Sequence, residues 1–249
     1  MRKKIVFIFT LLLNLNCNAQ NCNNNIQKEY NMEKIMKIPE INADYEVFDR
    51  EAFFFGKDQH NQKREHKQRV VNNDTVNCYA TMRSYEEYGK NGSVRKRFFR
   101  GHEGDTYGHE YTTNPLIGIY KEFYPNEGIK EKGIYCWFGF KMGLWYYYDE
   151  VGNLIKVENT DEEFEFTAED IFAYCLENNI PLEMKEGDFR TKIRKYNSVE
   201  SKSLGLGFDK PFWFIKYPVF TEWKTIIIHI DAKTGKIVRT FEESLNSTH

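Results

Sequence analysis

Three times the chain writes an aromatic, three residues and a glycine, followed by a β-prone segment with basic residues: Tyr88 to Gly92, Tyr124 to Gly128 and Tyr148 to Gly152. In the fullest copy, Gly143-Leu-Trp-Tyr-Tyr-Tyr148 runs into Asp-Glu-Val-Gly152-Asn-Leu-Ile-Lys156. Strand formers reach Tyr148, a polar turn follows, and a glycine can take the positive φ that closes a hairpin. Gly92, Gly128 and Gly152 are therefore expected at turns. The spacing is 36 residues from Tyr88 to Tyr124 and 24 from Tyr124 to Tyr148, and the excess coincides with a polar insert, Gly101 to Asn114, expected to be a loop. Hairpins that cannot bury a face alone stack into one elongated sheet. Period-2 alternation puts Trp145 and Tyr147 on one face and Tyr146 and Tyr148 on the other, so at least one aromatic face must pack on another layer.

After the repeats the period changes. Thr167 is a good N-cap, and Glu169 and Asp170 favour the first turn of a helix. Ile171, Phe172, Cys175 and Leu176 then form an apolar stripe at helical spacing, ended by Asn178, Asn179 and Pro181. Two strand signals close the chain: Pro211 to Tyr217, and a hairpin Lys224 to Phe241 with Asp231 and Gly235 in its turn. The expected fold class is α+β, mainly β, in stretches divided at about 76–160 and 161–249. The first holds stacked antiparallel β-hairpin repeats in an elongated sheet. The second holds one amphipathic helix and a C-terminal β-hairpin subdomain, with Trp213 in its packing. Residues 20–75 read as a flexible leader with a strand over Tyr45 to Phe55. Within them, Lys57 to Arg69 carries five basic and two acidic residues and reads as a solvated loop or helix face.

The run Gly118 to Lys156 resembles the MORN-variant repeats of bacterial proteins labelled YwqK-like antitoxin proteins. Those repeats read Tyr/Trp-x-x-Tyr-x-x-Asn-Gly-x-Leu, then a glycine and an aromatic. Here Val151 stands where Asn is usual, and Glu127 intrudes between Asn126 and Gly128. The resemblance implies a repeat fold and contact with protein or lipid, and no activity. The closing Ile230-Asp-Ala-x-Thr-Gly235-Lys-Ile237 is similar to the PepSY module of exported bacterial proteins, which implies a protease inhibitor or immunity factor as an alternative role.

The N-terminus directs compartment. Arg2, Lys3 and Lys4 precede an apolar run from Ile5 to Leu13, and Ala19 ends a short polar segment. This is the layout of a signal peptide cut after Ala19, and the run is too short to span a membrane. Cleavage before Cys17, with lipid on its sulfur, is the alternative. Losing residues 1–19 removes three positive charges and moves the net charge from −2 to −5, which argues against a general nucleic-acid binder. Cys22, Cys78, Cys136 and Cys175 form no Cys-x-x-Cys, and they allow either three full disulfide pairings or buried free thiols.

Chemistry is thin. Gly101-His102-Glu103 and Gly108-His109-Glu110 place two His and two Glu within ten residues, a candidate zinc site for a metal-binding protein or metal-dependent hydrolase. The spacing is not the i, i+4 arrangement that puts two His on one helix face, so a polar loop is the favoured reading. Residues 161–188 hold ten acidic side chains and one basic, without calcium-loop spacing. His229 falls mid-strand and is assigned to the polar face of a hairpin. No nucleophile motif is present. The expected role is a non-enzymatic binding protein with a protein partner in the cell envelope, without cofactor or membrane span.

Overall fold

The computed structural model describes residues 37–57, 63–182, 191–205 and 209–245, with backbone alone at 184–185 and 188–189. The signal segment, Cys17 and Cys22 lie outside the described residues. The fold is mainly β, as expected.

A nine-stranded antiparallel sheet runs in strict sequence order: β1 (Glu65–Val71), β2 (Asp74–Ala80), β3 (Ser84–Tyr88), β4 (Val94–Arg100), β5 (Thr106–Tyr111), β6 (Ile117–Phe123), β7 (Ile129–Cys136), β8 (Phe140–Tyr148) and β9 (Leu154–Asn159). The sheet therefore starts at Glu65, within the stretch expected to be leader. The basic run that reads as a solvated loop supplies β1, joined to β2 through Asn72 and Asn73, both at positive φ. Two consecutive left-handed residues make the tight turn whose twist suits a two-residue hairpin.

The insert is also not a loop. Thr106–Tyr111 pairs with β4 on one side and β6 on the other. Between the first two copies of the aromatic–glycine phrase lie three strands, and between the second and third lie two. The repeating unit is thus one strand plus one turn of about 12 residues, which accounts for both the 36 and the 24. In a meander, successive turns alternate between the two ends of the strands. The Tyr88 copy accordingly lies at the opposite end from the Tyr124 and Tyr148 copies.

Four of the turns share one geometry. Gly89 N–H bonds Ser93 O, Gly101 bonds Asp105 O, Tyr124 bonds Gly128 O and Asp149 bonds Asn153 O, at 2.8–3.0 Å. In each, the fourth residue takes the left-handed conformation: Gly92 (φ 76°), Gly104 (91°), Glu127 (73°) and Gly152 (94°). Gly92 and Gly152 sit as expected. Gly128 does not, because Glu127 occupies the strained slot one residue earlier. Gly128 is needed for another reason: a Cβ there would lie 2.3 Å from the Tyr45 hydroxyl.

The inner face of the sheet packs on the N-terminal segment. Residues 45–55 do not form the expected strand. Val47 makes one isolated bridge to Gly128, and Asp49 then caps α1 (Arg50–Phe53) by accepting from Ala52 N–H. That turn folds Phe53 and Phe54 back against Phe48, at ring separations of 4.7 and 5.6 Å. Phe48 contacts Phe98 and Phe123, in a core with Val76, Cys78, Ala80, Tyr85, Ile129, Tyr146 and Tyr148.

The C-terminal part is a helix on a four-stranded antiparallel sheet, which adds one strand, over Lys192–Tyr196, to the expected strand and hairpin. α2 (Ala168–Glu177) begins at Thr167, which forms a reciprocal capping box with Asp170, and buries Ala168, Ile171, Phe172 and Cys175. A two-residue hairpin, β10 (Met184–Lys185) and β11 (Asp188–Phe189), follows. The sheet orders β12 (Lys192–Tyr196), β13 (Phe212–Val219), β14 (Lys224–Asp231) and β15 (Ile237–Ser244), with α3 (Ser198–Ser203) after β12. The turn from β14 to β15 is as read: Gly235 has φ 67°, and Asp231 accepts from the N–H groups of Lys233 and Thr234. Trp213 is buried against Phe140 and Phe164.

A buried lysine ties the two sheets together. Lys195, 7% exposed, donates to Asp161 and to the carbonyls of Thr160 and Lys141. The acidic stretch is therefore partly structural: Asp161 binds Lys195, Asp170 caps α2, and Glu163 accepts from Ser198 at 2.7 Å.

Candidate functional site: the open aromatic face

The nine-stranded sheet has a second face, opposite Phe48, and it is lined with rings. Register places Tyr79, Tyr88, Phe99, Tyr107, His109, Tyr111, Tyr120, Tyr135, Trp145 and Tyr147 on this outer side. The expected split of Trp145 and Tyr147 from Tyr146 and Tyr148 holds. Among the described residues, every ring contact these side chains make is with another ring of the same sheet.

Two glycines explain why the rings lie flat. A Cβ on Gly133 of β7 would stand 2.2 Å from the indole of Trp145, and one on Gly118 of β6 would stand 2.6 Å from that of Trp137. Each indole thus lies over a glycine of the neighbouring strand and stacks on a tyrosine of the strand beyond. Trp145 reaches Tyr120 at 5.7 Å and 26°, and Trp137 reaches Tyr111 at 5.0 Å and 25°. A glycine in a strand interior costs stability, and covering it with an aromatic ring recovers part of it. The two Trp-over-Gly-to-Tyr steps form a diagonal pavement of rings across β5 to β8.

Carboxylates and cations are distributed in pairs around the pavement: Glu86 with Arg97 (3.0 Å), Glu122 with Lys130 (2.6 Å), Glu131 with Lys141 (3.3 Å) and Glu158 with Lys156 (3.2 Å). Lys141 also stands 3.7 Å over the Trp145 ring, a cation–π contact. Tyr120 donates to Glu122 and Tyr147 to Glu158. Burial, then the neighbouring carboxylates, raises both phenols, so they stay protonated donors. At neutral pH the face presents half-buried rings, hydroxyls and paired charges, with Trp145 itself, 1% exposed, covered by its neighbours.

The zinc candidates are dispersed by this geometry. His102 and Glu103 lie exposed in the turn before β5. His109 and Glu110 are adjacent strand residues and point to opposite faces. His109 sits among Tyr120, Tyr135 and Trp137, where burial, then the Arg97 charge, pushes its pKa down to about 4. Glu110 points inward into a charge ladder: Lys96 at 3.1 Å, Lys121 at 3.2 Å, then Lys121 to Glu46 at 2.6 Å and Glu46 to the buried Lys132 at 2.8 Å. Among the described residues no three His, Cys, Asp or Glu side chains are grouped to hold a metal ion.

Comparison with protein-family models, with curated proteins and with solved structures finds no match. The MORN-like and PepSY-like resemblances therefore rest on the residues that carry them. Cys78, Cys136 and Cys175 are buried free thiols. Burial pushes Cys175 up to about 12 and raises Cys136 further, so neither is a nucleophile at neutral pH. His229 lies on a face that also carries Arg194, Lys216 and Arg239, but the rings of Phe212, Phe214 and Phe241 pack around it and leave it 5% exposed. No helix among the described residues is long and apolar enough to cross a membrane.

Sequence reasoning saw the aromatics but not the pavement. Its signal was available in the pairing of Gly118 with Tyr120 and of Gly133 with Tyr135, two residues apart on adjacent strands. Recognising it needs the strand register.

Proposed function

We propose that this chain is an exported, non-enzymatic binding protein, and that its partner is a protein of the cell envelope that docks on the open aromatic face. The pavement of rings carries this reading. Tyr, Trp and Arg concentrate where proteins recognise proteins, because each offers a large rigid contact area with a polar handle. Phe99 and Tyr107 touch at 6.2 Å and are the most open rings of this face, at 38% and 41% exposure. The paired charges give no net field to attract a polyanion, which favours a protein over nucleic acid. The signal-like N-terminus supports export.

The test is photo-crosslinking in the native envelope from positions 99 and 107. One discrete partner should appear at both, and should vanish when Tyr120 and Trp137 are replaced by Ser in a chain that still folds. An unchanged crosslinking pattern in that variant would defeat the proposal.

A further inference from the structure

Among the described residues the nine-stranded sheet has two end strands, β1 and β9, each with one strand neighbour. They are guarded differently. β1 carries His66, Lys67 and Arg69, charges that discourage pairing. β9 reads Leu154-Ile155-Lys156-Val157-Glu158-Asn159, and its three apolar residues are 45%, 63% and 48% exposed. Leu144 on β8 and Val151 in the turn before β9 are exposed too, so five large apolar side chains gather along this edge. An open edge with apolar side chains is a template for another strand.

We propose that β9 pairs antiparallel with β9 of a second copy, joining two nine-stranded sheets about a two-fold axis at Val157. The charge register selects this occupant. A two-fold axis perpendicular to the sheet keeps like face with like face, so it must pass through a residue. Centred on Val157, Lys156 stands opposite Glu158 of the second copy, and Glu158 stands opposite its Lys156. Centring on Lys156 or Glu158 would set like charges face to face, and centring on Ile155 would set Lys156 against Leu154. Opposite charges directly across a strand pair stabilise it, and like charges destabilise it. The Val157 register also meets its own mate through an apolar contact. Such an isologous pair closes on itself, whereas joining β9 to β1 of another copy would grow without end.

Sedimentation velocity of the processed chain over a wide concentration range tests this, with near-UV circular dichroism confirming that each variant is folded. A monomer–dimer equilibrium is expected. Lys156→Glu alone, or Glu158→Lys alone, should raise the dissociation constant about tenfold or more, since two attractive cross-strand contacts become repulsive. The double variant Lys156→Glu with Glu158→Lys, which restores the pair within β9 as well as the pair across the axis, should return it toward the wild-type value. Val157→Asp, which leaves both charges in place, should abolish the dimer. A chain that stays monomeric, a dimer indifferent to the single reversals, failure of the double variant to recover, or open-ended growth would each overturn the proposal.

Discussion

The flat indole of Trp145 makes Gly133 a sensitive small residue of the sheet. Gly133→Ala places a Cβ 2.2 Å from the ring, far inside contact distance. The ring has no local escape. It is 1% exposed, its Nε1 donates to Ile134 O at 3.2 Å, Tyr120 stacks on it, and Lys141 caps it at 3.7 Å. It must swing off the sheet. Baring about half of an indole exposes roughly 100 Å², or about 2.5 kcal/mol. Losing the indole hydrogen bond adds about 1 kcal/mol. Alanine offsets about 0.5–1 kcal/mol by restricting the unfolded chain. The expected net loss is about 2–3 kcal/mol, measured by urea denaturation followed by circular dichroism. In a Trp145→Leu background the same substitution should be neutral within about 0.5 kcal/mol, because the obstruction is gone. An equal loss in both backgrounds would refute the idea that the ring dictates the glycine.

Four further outcomes are expected. Glu127→Gly should stabilise by up to about 1 kcal/mol, since glycine relieves a left-handed residue. Gly152→Ala should lose about 1–2 kcal/mol, from its positive φ and the Tyr45 ring 3.0 Å from the new Cβ. Both are read as shifts in denaturation midpoint. The His109 imidazole, held near pKa 4 when folded against 6.5 when free, makes stability pH-dependent. Between those values the unfolded chain binds the proton and the folded chain does not, so its contribution is full above pH 6.5 and falls as the pH drops toward 4. After allowing for partial exposure the loss is about 1–2 kcal/mol, and His109→Phe should remove it from melts compared at pH 7.5 and 4.5, values set by that window. At the joint between the sheets, Asp161→Asn should cost about 2–3 kcal/mol by stranding the buried Lys195 cation, while Lys195→Met should cost at most about 1 kcal/mol. Denaturation midpoints that reversed this order would show that the lysine is not held by its charge.

Much of the fold was legible because local chemistry and tertiary structure agree. The aromatic alternation around Trp145, the Thr167 cap and the Asp231–Gly235 turn each appear where residue type alone puts them. The failures share a cause. Thr106–Tyr111 reads as a polar loop because its inward residues are Thr106, Gly108 and Glu110. Gly108 is small because Arg97 O would lie 2.1 Å from a Cβ, and Glu110 is inward because lysines from β4 and β6 meet it. Neither reason is visible until neighbouring strands are in register. β1 and β12 were obscured likewise, since charged residues on strands look like loops until their cross-strand partners are known. The pavement was the least legible feature, being a property of three strands at once.

The strand-plus-turn unit has a geometric consequence. A meander with an odd number of strands enters at one end of the sheet and leaves at the other, and its first and last strands also form opposite edges. With strands about 4.8 Å apart, β1 and β9 are separated by roughly 38 Å across the sheet. The sheet therefore acts as a ruler between the start of β1 and the C-terminal helix–sheet module. Adding or removing two units would change that reach by about 10 Å and leave the module at the same end of the strands. Adding one unit would send the module to the other end. Change in length is thus tolerated in steps of 24 residues, and a step of 12 would rebuild the molecule.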